Sequence, residues 1–567
     1  MKEYTMCYFK HNLLYGLIIL IILVNALGFF SPLLRNDDPA LYASIVKNML
    51  LAHNWINLTH FGADWLDKPH FPFWIIAVSS SIFGINSFAY IFPGFLFHLI
   101  GAYYTYRLGR ELYNSDVGLI AAVIYLSSLH LMLSSAIDVR AEAYLLGTIM
   151  PACFYWYRYN KSATLVNLFL GALFTACAMM TKGLFVLVTI GSGLFVLWMY
   201  TKQYASIFKP KWLIALLLSF IFIIPELIAL YIQFDMHPEK HIFGLTRVSG
   251  IKWFFWDSQF GRFFNNGPII HSGSTSFSHY FFFIHTFLWS FLPWSLVLIV
   301  AIFDYCRKNS EIRLGNPSSF YYLVGSFLPT FILFSIAKFQ LDYYTNILIP
   351  FAAILCANWF VNYRISKPND THRIFYVQIW FAVILVIGVI WLSIFVFGHG
   401  SILAISLTGL LMLVLFIMFT HQNDLSKAIL YPVLAICLVF VFMLLIYGRI
   451  YIKYDAGYLA ARYINMQPQQ LQVIDYDVNS LTLEFHSKNK FIRVGDSASE
   501  LNKLARPYYV FLKADDLSKL QLAVAPNKLS VLTGINGVAI DVVMANLLSR
   551  PRLDQQMLLH YLVVKVE

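Results

Sequence analysis

Two adjacent carboxylates, Asp37 and Asp38, open a polar stretch just after the first hydrophobic run, and the sequence D-W-L-D-K-P-H supplies Asp64, Asp67, Lys68 and His70 near its end. A carboxylate held at a membrane surface can accept a proton from a hydroxyl nucleophile, although boundary acids of this kind are often simply solvated. Lys68 either snorkels to the interface, the commoner role, or binds a phosphate as a point charge. Further along, A-I-D-V-R-A-E gathers Asp138, Arg140 and Glu142, T-K-G carries Lys182, F-G-R-F-F carries Arg262, and A-K-F-Q-L-D-Y-Y carries Lys338, Tyr343 and Tyr344. Acids beside a ring of cations at membrane level suit a lipid-linked phosphate, whose anion reaches the interface while its tail stays in the bilayer.

The elements that must position these groups are membrane helices. The chain has 567 residues, of which 59% are hydrophobic and only 12% charged, a balance that excludes a soluble domain. Spanning a hydrocarbon core takes roughly 20 apolar residues, and runs of about that length recur about thirteen times. They cover Leu13 to Phe30, Ser87 to Leu108, Val117 to Leu133, Ala141 to Tyr157, Leu165 to Met180, Leu184 to Tyr200 and Leu213 to Ile232. Beyond these come Phe281 to Phe303, Phe320 to Ala337, Thr345 to Val361, Ile374 to Phe397, Ile402 to Phe419 and Ala428 to Tyr447. The first run lacks a small-residue cleavage site and reads as a retained span. Phe71 to Phe83 is shorter and reads as an interfacial or re-entrant helix. After Asp38, Tyr42, Ala43, Val46 and Met49 recur at helical spacing, which predicts an amphipathic helix lying on the membrane with the acid at its N-terminal end.

Basic residues orient the spans. Arg107, Arg110, Arg158, Lys161, Lys202, Lys209, Lys211, Arg307, Lys308, Arg313, Arg364, Lys367, Arg373 and Lys427 fall on one side if the N-terminus is cytoplasmic. These short loops account for much of the net charge of +11 and argue against nucleic acid as a partner. Residues 31–86, 234–280 and 449–567 then share the outer face, so residues 1–448 form the transmembrane domain and 449–567 a periplasmic domain. That last segment predicts short strands at Leu471 to Ile474, Leu481 to Phe485, Phe491 to Val494, Tyr508 to Leu512, Leu529 to Leu532 and Val538 to Val543, with a helix at Ala498 to Leu504. A small α/β domain follows. The six cysteines show no disulfide framework.

Taken in order, D-x-x-x-Y-A, D-K-P-x-x-x-F-W, the lone Asp after span three, T-K-G, F-x-R-F, H-Y-F with P-W, and K-x-x-L-x-Y-Y resemble the membrane glycosyltransferases of the GT-C class. They are most similar to the bacterial branch of the protein O-mannosyltransferase-like family, which includes the lipid A aminoarabinose transferases. The resemblance implies a polytopic α-helical membrane protein of GT-C architecture with a C-terminal extramembrane α/β domain, in the cell inner membrane. It implies Asp38 as catalytic base or acceptor-orienting group and Asp138 as the second acid. Pro39 stands where the family usually has Glu, and Asp37 precedes, so Asp37 shares the candidacy. Lys68, Arg262, Tyr344 and Tyr343 are implied for the carrier phosphate, with Lys182 and Lys338 beside them and Asp67, Arg140 and Glu142 as further site candidates. Some relatives bind a divalent metal. The candidate ligands here, Asp67, His70, His271 and His279, form no compact cluster, and lone histidines near an interface are more often structural.

The implied reaction is inverting transfer of a sugar, aminoarabinose or another pentose or hexose, from a polyprenyl-phosphate carrier to a hydroxyl of lipid A, another glycolipid, a glycan or a protein. A flippase or ligase of lipid-linked glycans would share the interfacial charge. A secondary transporter would carry charge near the bilayer midplane, where these runs have little.

Overall fold

The computed structural model describes residues 11–31, 37–264, 266, 280–307, 315–366, 373–397, 409, 424–495, 498–524, 528–537 and 559–567. Among them, six helices are long and apolar enough to cross a membrane: His11–Phe30, Leu165–Lys182, Tyr204–Phe222, Pro317–Ile336, Asp342–Ile365 and Ser426–Leu445. Two bent pairs bring the number to eight if each is one span. The expected run Ile402 to Phe419 lies outside the described residues apart from Gly409.

The bent pairs occupy the expected continuous spans Val117 to Leu133 and Phe281 to Phe303. Ser115–Leu126 and Leu129–Ala136 meet at 62°, and Phe282–Ser290 and Ser295–Cys306 at 116°. A break frees backbone groups that hydrocarbon cannot satisfy. Here each break serves the other: Leu129 N–H donates to the Leu292 carbonyl at 2.9 Å, and the Trp294 indole donates to Ser127 Oγ at 3.0 Å. We number the helices nearest the site α1 (His11–Ala26), α2 (Asp38–Leu51), α3 (Phe71–Phe83), α4 (Ser87–Leu112), α5 (Ser115–Leu126), α6 (Leu129–Ala136), α7 (Ala141–Lys161), α8 (Leu165–Lys182), α9 (Val186–Tyr200), α10 (Pro210–Phe222) and α11 (Ile224–Leu230). Small residues let them approach. A Cβ on Gly147 of α7 would lie 2.5 Å from the Phe97 carbonyl oxygen of α4, so only glycine fits this crossing.

Between α1 and α4, residues 37–86, which belong to the first of the loops expected on the outer face, fold on themselves. Asp37 stands at the N-cap of α2 and Pro39 in its first turn, where the fixed proline φ suits a helix start and carboxylates suit the positive helix end. The helix is present as expected, but protein rather than open surface lies against its apolar face. Tyr42, Ile45, Val46 and Met49 are all buried, packed on α3 and on the helix Leu481–His486 of the C-terminal domain. Strands β1 (Thr59–His60) and β2 (Ala63–Asp64) form a two-residue hairpin whose Phe61 and Gly62 both take positive φ, 52° and 78°. Gln233, at the end of the span after α11, stitches the second outer loop to this hairpin: it accepts from Leu58 N–H at 3.0 Å and donates to the Leu58 carbonyl at 2.8 Å and to Asp64 at 2.9 Å.

The C-terminal segment is a mixed sheet of β3 (Gln472–Tyr476), β4 (Phe491–Val494), β5 (Tyr508–Lys513), β6 (Leu529–Gly537) and β7 (Leu559–Val566), in the order β4-β3-β5-β7-β6. β3 runs parallel to β4 and β5, and β7 antiparallel to β5 and β6. The expected strand Leu481 to Phe485 is instead the helix Leu481–His486. Its L-T-L-E-F alternation imitates a strand, but the turn before it decides the outcome. Asp477 and Asn479 adopt positive φ, 55° and 62°, while Asp475 accepts three backbone N–H groups, from Val478, Asn479 and Ser480. Ser480 then caps the helix through Leu483 N–H. Residues 538–543 lie outside the described residues.

Candidate active site

Arg140, at the N-cap of α7, gathers the acids. Its Nη2 lies 2.6 Å from Asp37, its Nη1 2.9 Å from Asp38 and its Nε 2.9 Å from Asp138. One guanidinium thus engages three carboxylates through three different nitrogens, an arrangement that a single ammonium could not reproduce. The Arg140 side chain is 8% exposed, against 45%, 23% and 19% for the three aspartates, so the charge is buried and the acids face outward. Burial alone would lower the Arg140 pKa; Asp138 and then Asp38 outweigh it and hold the group firmly charged. The Tyr343 ring lies 4.7 Å from the guanidinium carbon.

A second cluster forms around Asp67. Its two oxygens bridge Lys68 and Arg262, which come from the first and second outer loops. Burial would raise the Asp67 pKa, but the Lys68 and Arg262 cations overcome it and hold the carboxyl down at about 2. Lys182, the last residue of α8, pairs with Glu142 of α7 and sits 4.1 Å above the Tyr344 ring. Gly183 follows with φ of 100° and ends the helix there. A side chain at that position would run into the Gln259 amide.

Asp67, Lys68, Lys182 and Arg262 line one small cleft, which Ser258 and Gln259 close from the helix Ser258–Phe264. Lys182, Arg262, Ser258 and Gln259 also line a larger cavity of about 400 Å³, to which Glu142 and Tyr344 contribute and whose remaining wall is apolar, with Phe255, Phe260, Phe263, Phe334 and Phe339. Cations at one end and aromatic walls beyond suit a phosphate joined to an apolar tail.

The structure therefore brings Asp37, Asp38, Asp138, Arg140 and Tyr343 together as one group, and Asp67, Lys68, Glu142, Lys182, Arg262 and Tyr344 as another, with the Tyr343 and Tyr344 rings meeting edge to face between them. Lys338 is not among the cleft's lining residues. It is exposed, and its backbone N–H donates to the Phe263 carbonyl at 3.0 Å. His70 is wholly buried, with Nδ1 3.0 Å from Glu226 and Nε2 2.8 Å from the Ile56 carbonyl. Burial would lower its pKa; Glu226 outweighs that and raises it. His271 and His279 lie outside the described residues, and among the described residues no group of three His, Cys, Asp or Glu side chains is placed to hold a metal ion.

Sequence reasoning missed Glu226, Gln259 and the buried hydroxyl of Tyr42, one turn beyond Asp38. Glu226 carried a signal, since an acid inside an otherwise apolar run is a functional candidate by default. Nothing marked Gln259, whose role depends on a glycine 76 residues earlier in the chain.

Residues 67–228 match the family model described as dolichyl-phosphate-mannose-protein mannosyltransferase. The chain is 26% identical over 373 residues to the undecaprenyl phosphate-alpha-4-amino-4-deoxy-L-arabinose arabinosyl transferase 2 of Proteus mirabilis, covering 64% of this chain and 62% of that one. It is 24% identical to the corresponding transferase 1 of Pseudomonas fluorescens, covering 56% and 54%. The matched regions thus span less than two thirds of these relatives' lengths. The crystal structure of ArnT from Cupriavidus metallidurans bound to undecaprenyl phosphate superposes with a TM-score of 0.72 at 15% identity, covering 97% of both chains. The chain has the GT-C membrane fold with a C-terminal α/β domain, and in sequence it is similar to the bacterial aminoarabinose transferase branch of the protein O-mannosyltransferase-like family.

Proposed function

We propose that this protein is an inverting glycosyltransferase that moves a sugar from a polyprenyl-phosphate carrier to a hydroxyl acceptor on the outer face of the cytoplasmic membrane. The observation that carries the reading is the run of cations from Lys68 and Arg262 to Lys182, set where a charged cleft shares its wall with an aromatic cavity. In this reading the carrier's phosphate meets Arg262 and Lys182 where cleft and cavity share a wall, and the start of its tail lies in the cavity. The relatives named above, whose donor is an undecaprenyl-phosphate-linked aminoarabinose, support the donor class. Aminoarabinose is the sugar the account favours and a lipid A-type glycolipid the acceptor.

In this mechanism the acceptor hydroxyl attacks the anomeric carbon, its proton passes to Asp38, and the bond from that carbon to the carrier phosphate breaks. Arg140 holds Asp38 aimed at the acceptor, and Asp138 and Asp37 fix Arg140. General-base help of this kind is worth on the order of 100 to 10,000-fold. Lys68, Arg262 and Lys182 face the oxygen on which charge grows as polyprenyl phosphate leaves. With one displacement and no enzyme nucleophile, the anomeric configuration inverts.

The test is transfer by the purified protein in nanodiscs, supplied with a radiolabelled polyprenyl-phosphate sugar pool and host membrane lipids. Label on an acceptor with inverted anomeric configuration supports the proposal and names the acceptor. Retained configuration contradicts the single displacement. Carrier binding without transfer from any pool favours a flippase of lipid-linked glycans.

A further inference from the structure

Glu226 takes no part in the chemistry above, yet it is fully buried on the wall of the phosphate cleft. It enters α11 directly after Pro225, at the break that separates α11 from α10. One carboxylate oxygen accepts the backbone N–H of His70 at 2.9 Å. The other lies 3.0 Å from His70 Nδ1, and His70 Nε2 lies 2.8 Å from the Ile56 carbonyl. With Glu226 a carboxylate, both ring nitrogens face acceptors, and Glu226 outweighs burial to raise the His70 pKa. Both side chains of this pair are 0% exposed.

A wholly buried ion pair is a poor device for stability alone, because apolar residues of similar volume often do as well or better. Its place in the chain suggests another use. His70 follows Lys68 by two residues with only Pro69 between, and the fixed φ of proline transmits the position of one to the other. The short helix α11, which follows the span ending in α10, thus grips the end of the D-K-P-H turn by backbone and ring together.

We propose that Glu226 is a positioning residue for the carrier phosphate: by clamping His70 it sets where Lys68 presents its charge. The inference rests on the reading of Lys68 as a phosphate ligand. It is tested by the affinity of the full-length protein, in nanodiscs of neutral lipid, for undecaprenyl phosphate. Wild type, Lys68→Met, Glu226→Gln and the Lys68→Met/Glu226→Gln double variant are compared. Glu226→Gln weakens binding about tenfold in the wild-type background, a coupling usual for directly connected groups. With Lys68 already removed, the same substitution makes little further difference, because the charge it positions is gone.

Equal losses in both backgrounds mean that Glu226 only supports the fold, and they overturn the inference. Unchanged affinity in Glu226→Gln overturns it as well. Should Lys68→Met itself bind as wild type does, the phosphate reading fails first and the inference falls with it. If Glu226→Gln does not fold, the neutral pair His70→Gln/Glu226→Gln replaces it in both backgrounds, with the same results deciding.

Discussion

Arg140 is the residue on which the three acids converge, and in the proposed mechanism it aims Asp38. Three carboxylates meet one planar fork, so Arg140→Lys keeps the charge but supports fewer of the bonds. Misplacing a catalytic group by about 1 Å can cost on the order of 100-fold, and a loss of transfer of that size, with carrier affinity retained, is expected for Arg140→Lys in steady-state assays. Asp67 makes a different prediction. Its pKa is depressed to about 2, so the stability it contributes is fully present above the ordinary carboxylate value and is lost only as pH falls through about 2. Carrier binding measured between about pH 4 and pH 8 should therefore show no limb that disappears in Asp67→Asn. The sequence named all of these side chains, because charge beside an apolar run is visible as such. It left open what each one touches: that Asp37 and Asp38 share the arginine beside Asp138, and that Lys182 pairs with Glu142, are facts of packing between residues 103, 102 and 40 positions apart.

At the scale of elements, the end of α8 shows how closely the second outer loop is seated. Gly183→Ala adds a Cβ where φ is 100° and where the Gln259 amide already lies. The backbone strain alone costs about 1–3 kcal/mol, and the clash pushes the helix Ser258–Phe264, with Arg262, away from the cleft. A lowered Tm together with weakened carrier binding is expected, while Gln259→Ala in the same background should recover part of both. Helix α2 was legible from its 3.6-residue spacing and its proline, and α3 from its length. What covers α2 was not legible: an apolar face looks the same whether lipid or protein lies against it, and here it is protein. The helix Leu481–His486 was misread as a strand because its alternation outweighed a capping signal, Ser480, that depends on Asp475 folding back. The two bent spans were read as straight because hydropathy follows composition and is blind to where backbone groups find partners.

Across the whole molecule, the C-terminal domain meets the loop between α1 and α4 at Lys47. This buried lysine of α2 donates to the carbonyls of Glu484, Phe485 and Ser487 at 2.6, 3.3 and 2.5 Å, at the C-terminal end of the helix Leu481–His486. Glu484 itself accepts from Asn48, Phe61 N–H and His60. Burial lowers the Lys47 pKa to about 8, against the pull of Glu484. Lys47→Met strands buried carbonyls at a cost of about 1–3 kcal/mol, so limited proteolysis should release the C-terminal domain faster than in wild type. The helix that begins at Asp38 thus ends on that domain, an arrangement that no motif disclosed. The central claim remains that Asp38 serves the acceptor while Lys68 serves the carrier phosphate. Single-turnover transfer from a labelled polyprenyl-phosphate sugar, run alongside direct carrier binding, tests it most directly in wild type, Asp38→Asn and Lys68→Met. The account predicts that Asp38→Asn binds carrier as wild type does and transfers at least about 100-fold more slowly, whereas Lys68→Met loses carrier affinity. Transfer by Asp38→Asn at the wild-type rate would contradict it.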